Sequence, residues 1–159
     1  MPATFQWSES NGVTPTITDD IGYLNFGSAD VCQLTPATYP IVAGQNSFFK
    51  AIRVKFTDVN VSISNMLFWK FSGAYVQSEY IVCHNQSVYI QPDTAIHSAW
   101  ASVPTDIGSA LTIHGANGTD PSLLANGYTE YIFLQLRTGA LTPAGAVNTK
   151  VFVFQYDEV

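Results

Sequence analysis

Two dense runs of aromatic and β-branched residues near the end of the chain restrict its fold more than any other feature. They are Gly127-Tyr-Thr-Glu-Tyr-Ile-Phe-Leu-Gln-Leu-Arg137 and Thr149-Lys-Val-Phe-Val-Phe-Gln-Tyr156. The connector between them, Thr138-Gly-Ala-Leu-Thr-Pro-Ala-Gly-Ala-Val-Asn148, is rich in turn formers. Aromatic and β-branched side chains fit a pleated, half-buried surface, and Gly and Pro interrupt it. The two runs therefore read as strands of a β-sandwich joined by a loop. In both, the alternate faces are largely apolar. Ile132, Leu134 and Leu136 oppose Tyr131 and Phe133, and Val151 and Val153 oppose Phe152, Phe154 and Tyr156. A strand wet on one side alternates with polar residues. These two are expected to be covered on both faces, by their own domain or by a partner.

The clearest alternation lies earlier. Phe48, Lys50, Ile52, Val54 and Phe56 point one way, and Phe49, Ala51, Arg53, Lys55 and Thr57 the other. This predicts a strand with an apolar face inward and cations outward, Lys50 sitting near its end. Ile63 to Phe71 predicts a second strand, ended by Ser72-Gly73. Glu79 to Val82 and Ser87 to Ile90 read as two pieces separated by His84-Asn85-Gln86, and Gly22 to Phe26 as a short strand. Residues 91–127 hold Pro92, Pro104, Pro121 and four glycines, which predicts a long loop with a helical turn at Ala95 to Ala101 or Ser122 to Ala125. So long an irregular stretch is unusual inside a compact domain, which makes it a candidate contact loop. Seven to nine short strands without a long 3.6-residue period predict an all-β fold, an antiparallel β-sandwich of jelly-roll or immunoglobulin-like type.

Residues 1–20 carry few apolar groups, chiefly Phe5, Trp7, Val13 and Ile17, interrupted by Asn11-Gly12 and Pro15. Ordering a backbone costs about 1 to 2 kcal/mol per residue. Two buried aromatics return about 1.5 to 3 kcal/mol each, too little for the whole segment. The expected organisation is an N-terminal arm over residues 1–20, ordered by a partner, and a sandwich domain over 21–159. The competing reading makes Phe5 to Trp7 the first strand of the sandwich.

Composition limits the function classes. The chain of 159 residues suits a single domain. Only 11% of residues are charged, against about 25% in a typical globular protein. Either Ser, Thr, Asn and Gln supply the surface polarity or neighbours cover much of the surface. The net charge is −6, and three of six cations cluster at Lys50, Arg53 and Lys55. That is too small a basic patch for direct nucleic-acid binding. No apolar run approaches the roughly 18 residues of a membrane span. The N-terminus lacks a secretory pattern, so a reducing cytosol is the expected place of synthesis. Cys32 and Cys83 then read as two separate thiols, although one disulfide is open to them. The Asn-X-Ser/Thr triplets at Asn60, Asn85 and Asn117 read as coincidence in so Asn- and Ser-rich a chain.

No catalytic constellation stands out. His84, His97 and His114 lack zinc-ligand spacing. Asp19-Asp20 lacks the rest of a calcium loop and reads as an acidic pair at a loop entry. Carboxylates are too widely scattered to single out the pair, roughly 5 to 10 Å apart, that a glycosidase needs. Gly-X-Ser-X-Gly, P-loop and dinucleotide-binding patterns are all missing from the sequence. The expectation is a non-enzyme without cofactor or metal. Trp69 reads as core, while Trp100 in the long loop is the tryptophan expected to be exposed. With Phe5 and Trp7 of the arm it makes up the candidate partner contact.

The strings Phe49-Lys-Ala-Ile-Arg-Val-Lys-Phe56, Ile63-Ser-Asn-Met-Leu-Phe-Trp-Lys70, Glu130-Tyr-Ile-Phe-Leu-Gln-Leu136 and the closing Phe-Val-Phe-Gln-Tyr-Asp-Glu158 resemble phage virion accessory proteins of β-sandwich type, including capsid decoration (cement) proteins. The resemblance covers roughly residues 48–158 and includes no catalytic signature. It implies a structural, virion-bound role, made in the host cytoplasm, with the major capsid protein or another virion protein as partner. It also implies self-association, with a trimer expected. The rival from another class is a carbohydrate- or receptor-binding module of a fibre or tail, with Trp100 and loop tyrosines as stacking surface.

Overall fold

The computed structural model describes residues 2–143 and 148–159. The described chain is all-β, two antiparallel sheets packed as a sandwich. Its strands are β1 (Thr4–Asn11), β2 (Thr16–Asp19), β3 (Lys50–Thr57), β4 (Ile63–Ser72), β5 (Glu79–Gln86), β6 (Ala101–Ser102), β7 (Leu111–Thr112), β8 (Ser122–Leu123), β9 (Gly127–Tyr128), β10 (Tyr131–Thr138) and β11 (Val151–Glu158), with one 3-10 turn at Ile107–Ser109. The larger sheet runs β2-β1-β3-β10-β5-β6, with β9 also on β3. The smaller runs β11-β4-β7, with β8 also on β4. The two aromatic runs at the C-terminal end therefore do not pair with each other: β10 is central in the large sheet, and β11 borders the small one. Residues 144–147 of the connector lie outside the described residues.

Strand alternation places the main core between the sheets. Ile52, Val54 and Phe56 of β3, Ile132, Leu134 and Leu136 of β10, and Ile81 and Cys83 of β5 meet Ile63, Met66 and Phe68 of β4. Ile63 and Met66 both point inward although three residues apart. Asn65, at φ +50°, takes up the extra residue, a bulge that restores the inward face. Phe152, Phe154 and Tyr156 of β11 close the open side of this core. Phe152 stacks on Phe68 with ring centroids 5.5 Å apart.

A second apolar cluster lies on the outer face of the large sheet. Phe49, Ala51, Val82, Tyr131 and Phe133 are buried there with Trp100, and Tyr89 and Ile90 pack against them. The segment leading into the long loop thus folds back over the sheet, and every residue of β10 from Tyr131 to Arg137 is buried. The two-sided apolar pattern of this strand is satisfied by its own domain.

Several local expectations are corrected. Residues 1–20 are not a separate arm in this structure. β1 pairs with β3 from Thr4↔Thr57 to Ser10↔Ala51, and Trp7 packs edge-on against Phe68 and Phe154. Strand pairing supplies the hydrogen bonds that two aromatics alone could not replace. Gly22 to Phe26 is loop; Leu24 and Phe26 pack on the core without joining a sheet. β5 continues through His84-Asn85-Gln86, which pair with Phe133, Ile132 and Tyr131, while Ser87 to Ile90 leave the sheet. Neither expected helical turn forms: 95–101 is irregular up to β6, and Ser122–Leu123 is β8. The long loop is pinned because Trp100 enters the outer cluster while Val103 and Ile113 enter the inner core. Lys50 is buried as well, at 1% exposure.

Candidate functional site

The buried charged groups serve the fold. Lys50 Nζ donates to Glu9 Oε1 at 2.8 Å and to the Val31 carbonyl at 2.8 Å. Asn11 Nδ2 adds a bond to Glu9 Oε1 and another to Asp30 Oδ1. This network ties β1, β3 and the loop at 30–31 together at one end of the sandwich. Separately, Lys150 Nζ donates to both oxygens of Glu79, which also accepts from the Val76 amide. Glu130 Oε1 lies 2.8 Å from His114 Nδ1 and accepts from the His114 amide and from Asn85 Nδ2. Asn85, one of the Asn-X-Ser/Thr residues, thus uses its amide inside the fold.

Both cysteines are held toward the thiol form. Burial pushes the Cys83 thiol up to about 11, so the thiolate that a nucleophile requires is scarce at neutral pH. Cys32 is also raised, by burial first and then by the nearby Glu9 carboxylate. Both cysteines are free thiols. Among the described residues, no three His, Cys, Asp or Glu side chains are grouped so as to hold a metal ion. Asp19 of the acidic pair is engaged by Lys55, Ser8 and Tyr128.

The three residues singled out for partner contact take different places. Trp100 is 8% exposed. Its ring stacks on His97 at 4.5 Å, on His84 at 6.1 Å and on Phe133 at 5.7 Å, so the expected exposure of this tryptophan is corrected. Trp7 is half-buried between the sheets. Phe5 is 41% exposed and touches Phe56 and Tyr156 at the rim of the core. The structure does not bring the three into one surface.

A different surface stands out, on the outer face of the small sheet. Alternation puts Leu67, Trp69 and Phe71 of β4 on that face, and the register sets Gln155 and Val153 of β11 opposite Leu67 and Trp69. Val151 completes the row beyond Val153. At the end of the strands β11 pairs Val151 with Ser72 and Phe152 with Lys70, leaving Phe71 as the extra residue between them. Phe71 is 68% exposed and Val151 45%. Trp69 itself is buried, at 8% exposure, as expected of a core tryptophan, and Leu67 and Val153 are half-buried, so the exposed part of the row is Phe71 with Val151. β11 is also a border strand, bonded to β4 on one side and to no other strand among the described residues. Its free edge offers backbone donors and acceptors to an added strand. The sequence shows both faces of β11 as apolar and Phe71 as the last residue of the strand expected from Ile63, but it does not show that the two lie side by side.

No protein-family model matches the chain, and no curated protein or solved structure matches it either.

Proposed function

We propose that this chain is a structural virion protein that decorates or cements a capsid shell through protein–protein contacts. The observation that carries this reading is the apolar row ending in Phe71 and Val151 beside the open edge of β11. A contact of that kind joins sheet-edge hydrogen bonding to apolar burial, the combination used in strand addition. The low charge of the chain, 11% of residues, leaves little like-charge repulsion between packed copies. The partners in this reading are the major capsid protein or another virion protein, together with further copies of the chain. The glycan-binding alternative relied on Trp100 as a stacking platform, and both histidine neighbours already occupy that ring.

The test is binding to purified shells of the parent virus, measured by co-sedimentation for the wild type and for Phe71→Lys/Val151→Lys. The expected result is saturable binding of the wild type and its loss in the variant, with an unchanged denaturation midpoint. Sedimentation velocity of the free protein tests self-association alongside. Failure of the wild type to bind shells, together with binding on a glycan array, would overturn the assignment.

A further inference from the structure

Arg53 occupies an unusual position on the outer face of β3. Its guanidinium carbon lies 4.1 Å from the ring centroid of Tyr128 and 4.5 Å from that of Tyr131. The planar cation is thus held between one ring from β9 and one from β10. Both rings are themselves fixed. The Tyr128 hydroxyl donates to Asp19, and Lys55 and Ser8 hold that same carboxylate. Tyr131 is buried, lies parallel to Phe133 at 5.8 Å and packs against Tyr89.

The clamp leaves the donors of Arg53 unused. Arg53 Nε is shielded from solvent and has no acceptor, and among the described residues no carboxylate or carbonyl hydrogen-bonds to the guanidinium. Asp19, the acidic group of this neighbourhood, spends its oxygens on Lys55, Ser8 and Tyr128. An arginine in a protein does not discharge by losing its proton, so the charge and its N–H groups persist. Stacking satisfies the faces of a guanidinium and leaves its edge, where the N–H groups point, for an acceptor. Arg53 is half-buried, so its outer end remains within reach of solvent.

We propose that Arg53, clamped between Tyr128 and Tyr131, is a binding site for a carboxylate presented by an acidic side chain of a partner protein. A carboxylate matches the fork of a guanidinium with two parallel N–H···O bonds, which an ammonium group cannot offer. Arginine and tyrosine are also the residues that concentrate binding energy in protein interfaces. The partner half of this inference rests on the assembly reading; the carboxylate half stands without it.

Two measurements separate the halves. In the first, the side-chain N–H signal of Arg53 in the isolated protein is followed by NMR during titration with N-acetyl-glutamate N-methylamide and, separately, with N-acetylneuraminic acid. The expected result is a saturable shift with the glutamate probe at millimolar concentration. Ring and backbone signals around Tyr128 should follow it, and Arg53→Lys should abolish their response. An absence of saturation, an equal response in Arg53→Lys, or a preference of about tenfold or more for the sugar acid would overturn the proposal. In the second, Arg53→Lys is expected to weaken shell binding by about tenfold with the denaturation midpoint retained. Unchanged shell binding in this variant would overturn the partner assignment. Loss of binding by the wild type itself would count against the assembly reading, and the titration would still decide the carboxylate site.

Discussion

Lys50 Nζ and Glu9 Oε1 lie 2.8 Å apart, and both side chains are sealed from solvent, at 1% and 0% exposure. The pair joins the end of β3 to β1, and its second carboxylate oxygen has no hydrogen-bond partner among the described residues. Removing one member of a buried pair strands the other charge, which typically costs about 3 to 5 kcal/mol. Lys50→Met should therefore lower stability by about that much in denaturant titration. Lys50→Met combined with Glu9→Leu should recover most of the loss, because two apolar groups replace two buried charges. A single variant as stable as the wild type would show that Glu9 is relieved in another way.

The first strand is predicted to be part of the folded subunit. Deleting residues 1–12 would remove the partner of β3 along Thr4 to Ser10 and uncover Ile52 and Val54. The truncated chain should lose its cooperative thermal transition. Trp7→Ala should cost about 3 kcal/mol, the lower end for a large aromatic, since the indole is partly exposed. A truncated subunit melting like the full chain would restore the picture of residues 1–20 as an arm.

Thiol labelling should distinguish the cysteines. Cys83 is 4% exposed, and burial raises its pKa to about 11. Cys32 is more accessible, and its pKa is raised by burial and by Glu9. At pH 8 in native buffer, Ellman's reagent should modify Cys32 slowly and Cys83 only on the timescale of unfolding. Denaturant should release both at once. Equal rates in native buffer would argue against the packing around β5.

Asp19 should make stability fall on the acid side. Burial alone would raise its pKa, but hydrogen bonds from Lys55, Ser8 and Tyr128 outweigh that effect and hold it below the ordinary 3.8. A depressed folded-state pKa contributes stability that is fully present above the unfolded value and is lost as the pH falls through the folded one. Melting temperatures between pH 2 and 6 should therefore drop less steeply below pH 4 in Asp19→Asn than in the wild type. Parallel acid limbs for the two proteins would refute the role of this carboxylate.

Sequence and structure agree most closely where one strand carries its own periodicity. Phe48 to Phe56 and Ile63 to Phe71 announce themselves because side chains alternate across a pleat, and β3 and β4 fall on them within two residues. The double-sided burial of Tyr131 to Leu136 was legible for the same reason. The apolar character of both faces of β11 was equally legible; Phe152, Phe154 and Tyr156 pack on the core, and Val151 stays exposed. Arg53 could be placed on the outward face of its strand, but nothing local tells which rings will meet it.

Local pattern thus determined the all-β class, the strong strands and the apolar character of both faces of the final pair, since these follow from a period of two and from side-chain shape. The tertiary structure alone decided the rest. It sent β10 and β11 to different sheets and built residues 4–11 onto β3. It also paired Lys50 with Glu9, sank Trp100 against His97 and Phe133, and closed two tyrosines around Arg53. Each of these depends on partners distant in sequence. Pairing register and the enclosure of a side chain are properties of two segments together, and neither segment carries the information by itself.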